Sequence, residues 1–86
     1  AQDSVLAELY GQGVHAYYGG RYADAQTFLD SAIDQGTLDP RAYYFRGLVY
    51  LNMNKTAEAK ADFQKLLSLD PNNQYAGDAK EFLKSL

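Results

Sequence analysis

Residues 40–73, PRAYYFRGLVYLNMNKTAEAKADFQKLLSLDPNN, decide the fold, because residues 6–39, LAELYGQGVHAYYGGRYADAQTFLDSAIDQGTLD, repeat their pattern at an offset of 34. Tyr10 recurs as Tyr44, Gly13 as Gly47, Ala23 as Ala57 and Ala25 as Ala59. Apolar positions keep the same offset: Leu9 with Tyr43, Val14 with Leu48, Leu29 with Phe63, Ile33 with Leu67. A fixed period of this size marks stacked supersecondary units, none of which can bury its apolar face alone. It directs the functional question toward a binding surface rather than a catalytic pocket.

Within each unit the apolar spacing is helical. Helices are expected over 4–18, 22–35, 40–53, 56–69 and 74–85. Asp3 and Ser4 are candidate N-caps for the first, and Glu8 lies near its positive end. Gly19-Gly20 stops it. The second carries Ala25, Phe28, Leu29, Ala32 and Ile33 as one stripe, with Asp24, Asp30, Ser31 and Asp34 mostly off it. Asp39 is a plausible cap for the third helix, and Pro40 fits its first turn, where a missing N–H costs nothing. That helix is apolar nearly all round, as a helix buried on several sides is. The fourth buries Ala59, Phe63, Leu66 and Leu67 and leaves Lys60, Asp62, Gln64 and Lys65 mostly outside. The fifth has a narrow stripe of Tyr75, Ala76, Ala79, Phe82, Leu83 and Leu86. No alternating run long enough for a strand is present.

Composition narrows the function classes. Eight basic and eleven acidic residues leave a net charge of −3, and the bases are interleaved with acids. There is no basic stripe for phosphate-driven nucleic-acid binding, and an acidic chain suits an anionic membrane surface poorly. No apolar run reaches the roughly 20 residues of a spanning helix. With no cysteine there is no disulfide, thiolate metal site or thiol nucleophile. The Ala1-Gln2-Asp3 start reads either as a mature end left by cleavage after a small residue or as an arbitrary boundary, with a lean toward an exported, periplasmic origin.

The two units resemble tetratricopeptide repeats. In the second, Tyr43 stands for the family's first large residue, Gly47 for the small residue where paired helices meet, and Tyr50, Ala59, Phe63 and Pro71 follow at the family's spacing. Arg46 replaces the usual Leu, Asn54 the Gly, Thr56 the Tyr and Leu66 the second Ala. The first unit matches through Leu9, Gly13, Gly20, Tyr22, Ala25, Leu29 and Ala32, departs at Gln12 and Ala16, and ends in a loop that places Pro40 three residues late. The resemblance implies an all-α helix-turn-helix solenoid of five helices in a single domain over 1–86. Its parts are one repeat at about 6–39, a second at about 40–73, and a capping helix at about 74–86. The polar outer face of that last helix would close the array, placing the natural C-terminus near Leu86.

The resemblance also implies a function: a non-enzymatic protein-interaction module whose first helices line a concave groove. Its groove positions map here to Ala7, Tyr10, Val14, Tyr17 and Tyr18, then Arg41, Tyr44, Leu48, Leu51 and Asn52. Tyrosine suits recognition, giving large contact area with a polar tip at low entropy cost. Exposure is expected for Tyr10 and Tyr17. For Tyr44, Leu48 and Leu51 it is set evenly against coverage by the last helix. A subset of the family clamps a C-terminal carboxylate with Lys and Asn; Tyr10, Val14, Tyr44 and Leu48 occupy those sites here, so that ligand is not supported. The expected partner is a protein or peptide segment, or a second copy of the chain, with no nucleic acid, membrane or cofactor.

Three other signals carry bland readings. Gly11-Gln12-Gly13-Val14-His15-Ala16 fits a dinucleotide pattern formally, but no strand precedes it and its second glycine has a twin in Gly47. His15, the one histidine, has no acid, serine or second histidine at helical spacing to make a catalytic group. Asp24, Asp30 and Asp34, like Asn72-Asn73, lack the Gly-punctuated oxygen-rich loop of a calcium site and read as a solvated face and a cap.

Overall fold

The computed structural model describes residues 2–86; Ala1, and with it the first position of the Ala1-Gln2-Asp3 start, lies outside the described residues. Five helices follow in order: α1 (Gln2–Tyr18), α2 (Tyr22–Asp34), α3 (Pro40–Asn52), α4 (Thr56–Leu69) and α5 (Ala76–Ser85). Among the described residues there is no strand. Each helix packs on the next, and α1 also reaches α3, so the chain is an all-α helical array consistent with the expected repeat fold.

The period extends to individual hydrogen bonds. At the α1–α2 turn, Gly20 takes a positive φ of 77° and Arg21 N–H donates to the Ala16 carbonyl at 2.9 Å. One period on, Asn54 takes a φ of 61° and Lys55 N–H donates to the Tyr50 carbonyl at 2.8 Å. Asparagine replaces the family's glycine because it is one of the few side chains that tolerate left-handed backbone. At the head of α3, the Asp39 side chain accepts from the Arg41 N–H at 3.0 Å and Pro40 occupies the first turn, as expected.

Close approach of paired helices is enforced at two glycines. A Cβ on Gly13 would lie 2.7 Å from Leu29 Cδ2, and one on Gly47 would lie 2.7 Å from Phe63 Cε1. Leu29, Phe63, Leu66 and Val49 are the largest fully buried side chains, flanked by buried Ala16, Ala25, Ala32, Ala42, Ala59 and Ala79. Small residues bring the backbones together, and a few large ones fill the seams. Tyr22, Tyr43 and Tyr50, at positions that match the family pattern, are half-buried and pack against this cluster.

Four local expectations are corrected. Asp3 and Ser4 do not cap α1, since the helix already runs from Gln2 and both lie within its first turns. The last helix begins at Ala76 rather than 74. Asn73 Oδ1 accepts from the Tyr75 N–H at 2.8 Å and its carbonyl from the Ala76 N–H at 2.9 Å, holding those residues in a turn. Asp62 is not outside: it is 4% exposed and grips Arg46 with both oxygens, Nε to Oδ2 and Nη2 to Oδ1, each at 2.8 Å. Arg46 Nη1 also reaches Asp30 Oδ1 at 3.0 Å, so Asp30 is not simply a solvated acid. The guanidinium lies 5.7 Å from the Tyr43 ring centre and 5.6 Å from that of Tyr50. The Asp62 hydrogen bonds, opposed by burial, raise the Arg46 pKa further, so it stays charged. One arginine thereby ties α3 to both α2 and α4.

Candidate peptide groove

The mapped groove positions come from α1 and α3. On α1, Tyr18 is 73% exposed, Tyr10, Val14 and Tyr17 are half-buried, and Ala7 is exposed. Three of these tyrosines gather around Phe45 of α3, with ring centres 6.0 Å away for Tyr10 and Tyr17 and 6.1 Å for Tyr18. Phe45 itself is 3% exposed, so it forms a buried floor beneath an accessible aromatic strip. Burial raises the Tyr17 pKa, and the Asn52 side chain opposes that rise.

On α3 the mapped positions differ from one another. Arg41 is half-buried and its guanidinium lies 4.6 Å from the Tyr10 ring centre. It is also paired with Asp39, Nη2 to Oδ2 at 2.6 Å and Nε to Oδ1 at 3.0 Å. Burial by itself would raise the Asp39 pKa; the Arg41 hydrogen bonds outweigh it and hold the carboxyl below its ordinary value. Burial pushes the Tyr10 phenol up to about 12, against the pull of Arg41. Leu48 and Leu51 are half-buried, and Asn52 is exposed with its amide donating to the Leu48 carbonyl at 2.9 Å.

Tyr44 is covered. It is 7% exposed and stacks on Tyr75, centres 4.2 Å apart and planes 4° apart. Its hydroxyl donates to Asp78 Oδ2 at 3.5 Å, and its pKa rises to about 12, from burial first and then from the Asp78 charge. Of the two outcomes weighed for Tyr44, coverage by the last segment of the chain is the one observed.

That coverage reveals residues that sequence reasoning missed. Adding 34 to Arg41, Tyr44, Leu48 and Leu51 gives Tyr75, Asp78, Phe82 and Ser85. Asp78, Phe82 and Ser85 line one cleft with Tyr44 and Glu81, about 400 Å3 in volume. A second cleft, about 340 Å3, lies between the first half of α1 and the α2–α3 connection, lined by Leu6, Ala7, Tyr10, Leu38, Asp39 and Arg41 among others. The same period that exposed the repeats would have found the α5 positions.

The remaining motifs find no chemistry of their own. Gly11 and Gly13 both lie inside α1, without the strand-to-helix turn that a pyrophosphate needs. His15 is exposed in the last turn of α1. Among the described residues no group of three or more His, Asp or Glu is placed to hold a metal ion, and no helix is long and apolar enough to cross a membrane.

Two pairs of helices, a small-residue contact in each pair and a fifth helix across the end define a helical-repeat protein of the kind that presents surfaces. Residues 40–73 match the family model described as Tetratricopeptide repeat, and that match and the five helices fit a tetratricopeptide-like repeat protein. No curated protein matches the chain. The repeat suggests a protein–protein interaction module, and the family is generally a non-catalytic interaction fold.

Proposed function

We propose that the chain binds a peptide or protein segment along the face formed by α1, α3 and α5, without catalysis. The observation that carries this reading is the accessible tyrosine strip of α1 over the buried Phe45. Tyr18 in particular keeps 73% of its surface in solvent although it adjoins two other aromatic rings. Large rigid aromatic area that the fold itself leaves uncovered is the usual material of binding hot spots.

The test is selection of peptides from a random library against the immobilised chain, followed by Tyr18→Ala and Tyr17→Ala variants. Selected peptides should lose at least about tenfold in affinity for Tyr18→Ala, in line with the energies of interface tyrosines. The melting temperature of that variant should stay close to that of the parent. Retained affinity in both variants would remove the strip from the binding face.

Self-association is the second reading, favoured by Leu38 and Val5, which are 81% and 43% exposed near one end of the molecule. Sedimentation across a concentration series separates the two: a monomer at high concentration removes the dimer.

A further inference from the structure

We infer that the groove recognises a basic segment, one that places a lysine or arginine side chain in the cleft between α3 and α5. The inference rests on the groove reading above and gives the partner its chemistry.

The groove already holds one basic side chain of its own. Arg41 lies over the Tyr10 ring at 4.6 Å and is clasped by the Asp39 carboxylate. An aromatic wall and a carboxylate together seat a guanidinium there. The α3–α5 cleft has the same materials, with Tyr44 and Phe82 as aromatic lining and Asp78 and Glu81 as carboxylates. It lacks the base, because one period after Arg41 the sequence has Tyr75. Among the described residues Asp78 has no ion-pair partner and accepts only the long Tyr44 hydroxyl contact at 3.5 Å. Glu81 meets only Lys84, at 3.6 Å with both side chains about three-quarters exposed, a pairing worth little.

Charge over the whole face points the same way. Four acids, Asp3, Asp39, Asp78 and Glu81, line the two clefts, and Arg41 is the one base that does. None of the five lysines lines either cleft, and only Lys84 reaches a lining acid, Glu81 at 3.6 Å. An excess of acids over bases beside aromatic area favours a basic partner and repels an acidic one.

The experiment is an NMR titration of the labelled chain with the blocked hexapeptide Lys-Leu-Lys-Ala-Lys-Leu and with its counterpart carrying Glu for Lys. The basic peptide should shift amides around Tyr44, Asp78 and Phe82, and bind more weakly as salt rises. Asp78→Asn with Glu81→Gln should weaken it about tenfold, while Asp24→Asn with Asp34→Asn on α2, an equal change in net charge, should change it less than about twofold. Circular dichroism confirms that both double variants keep their helices. Equal weakening in the two double variants, or no shift with the basic peptide, overturns the inference. Stronger binding of the acidic peptide at the same residues overturns it and leaves the groove reading standing. Shifts from both peptides confined to α2 and α4 overturn the groove reading as well. A dimer of the parent chain that the Asp78→Asn, Glu81→Gln variant dissolves would put a second copy in the cleft and likewise overturns it.

Discussion

At the scale of single residues, the two repeats are held by contacts that differ in how openly the sequence announces them. Gly13 and Gly47 are legible: they share a register, and glycine twice at one helical position demands a close neighbour. Adding a methyl at either drives a Cβ to 2.7 Å from a fully buried side chain, Leu29 or Phe63. Gly13→Ala and Gly47→Ala should each cost about 1–3 kcal/mol in urea unfolding. Gly11→Ala is the control. Its Cβ would meet nothing within 4 Å, so the change should stabilise α1 by about 0.5–1 kcal/mol. The Arg46 clasp was not legible. Asp30 and Asp62 each lie 16 residues from it on different helices, and a carboxylate on an amphipathic helix reads as solvated until the neighbouring arginine is placed. Arg46→Met should cost about 3–5 kcal/mol, because it leaves Asp62 buried without a partner. Adding Asp62→Leu should recover much of that loss; if it does not, the clasp itself stabilises the fold beyond satisfying the buried acid.

At the scale of elements, the start of α3 joins local capping to the groove. Asp39 caps the helix through the Arg41 N–H and holds the Arg41 side chain over Tyr10. Asp39→Ala should cost about 1 kcal/mol for the lost cap. Asp39→Asn keeps a capping oxygen and removes the ion pair, which gives a pH signature. The folded-state pKa of Asp39 lies below its ordinary value of 3.8, so its contribution is complete above that value and is lost as pH falls through the lower folded one. The stability gap between the parent and Asp39→Asn should therefore narrow on acidification below about pH 4. A gap that widens there would refute the pairing. Sequence gave this cap its place because Asp-Pro is a strong start signal. It misplaced the start of α5 because the competing Asx turn at Asn73 leaves the apolar stripe unchanged.

At the scale of the molecule, α5 packs on α4, covers part of α3 and, in the proposed reading, extends the groove. Phe82 stacks on the buried Phe63 with centres 5.0 Å apart, and Tyr75 covers Tyr44. A chain ending at residue 73 uncovers both, and should lose its cooperative thermal transition. The tyrosines add an alkaline limit. Tyr10 and Tyr44 have pKa values raised from 10.0 to about 12, so they stay protonated in the folded chain where the unfolded chain ionises. Stability should fall as pH rises above 10, and spectrophotometric titration should find these two phenols ionising after the rest. The helical architecture was legible because a period needs only a few matching positions to declare itself. The cleft between α3 and α5 was missed because that helix was read for its apolar stripe, where an aspartate at the place of Tyr44 carries no signal. The Tyr44–Tyr75 stack has an optical consequence. The chain has eight tyrosines and no tryptophan, so phenols dominate its near-ultraviolet absorption. Two cofacial chromophores share excitation and absorb less than two separate ones. Separation of α5 from α3 would undo that sharing and move the Tyr44 phenol into water, so the near-ultraviolet spectrum of the protein carries a built-in reporter of whether α5 is seated.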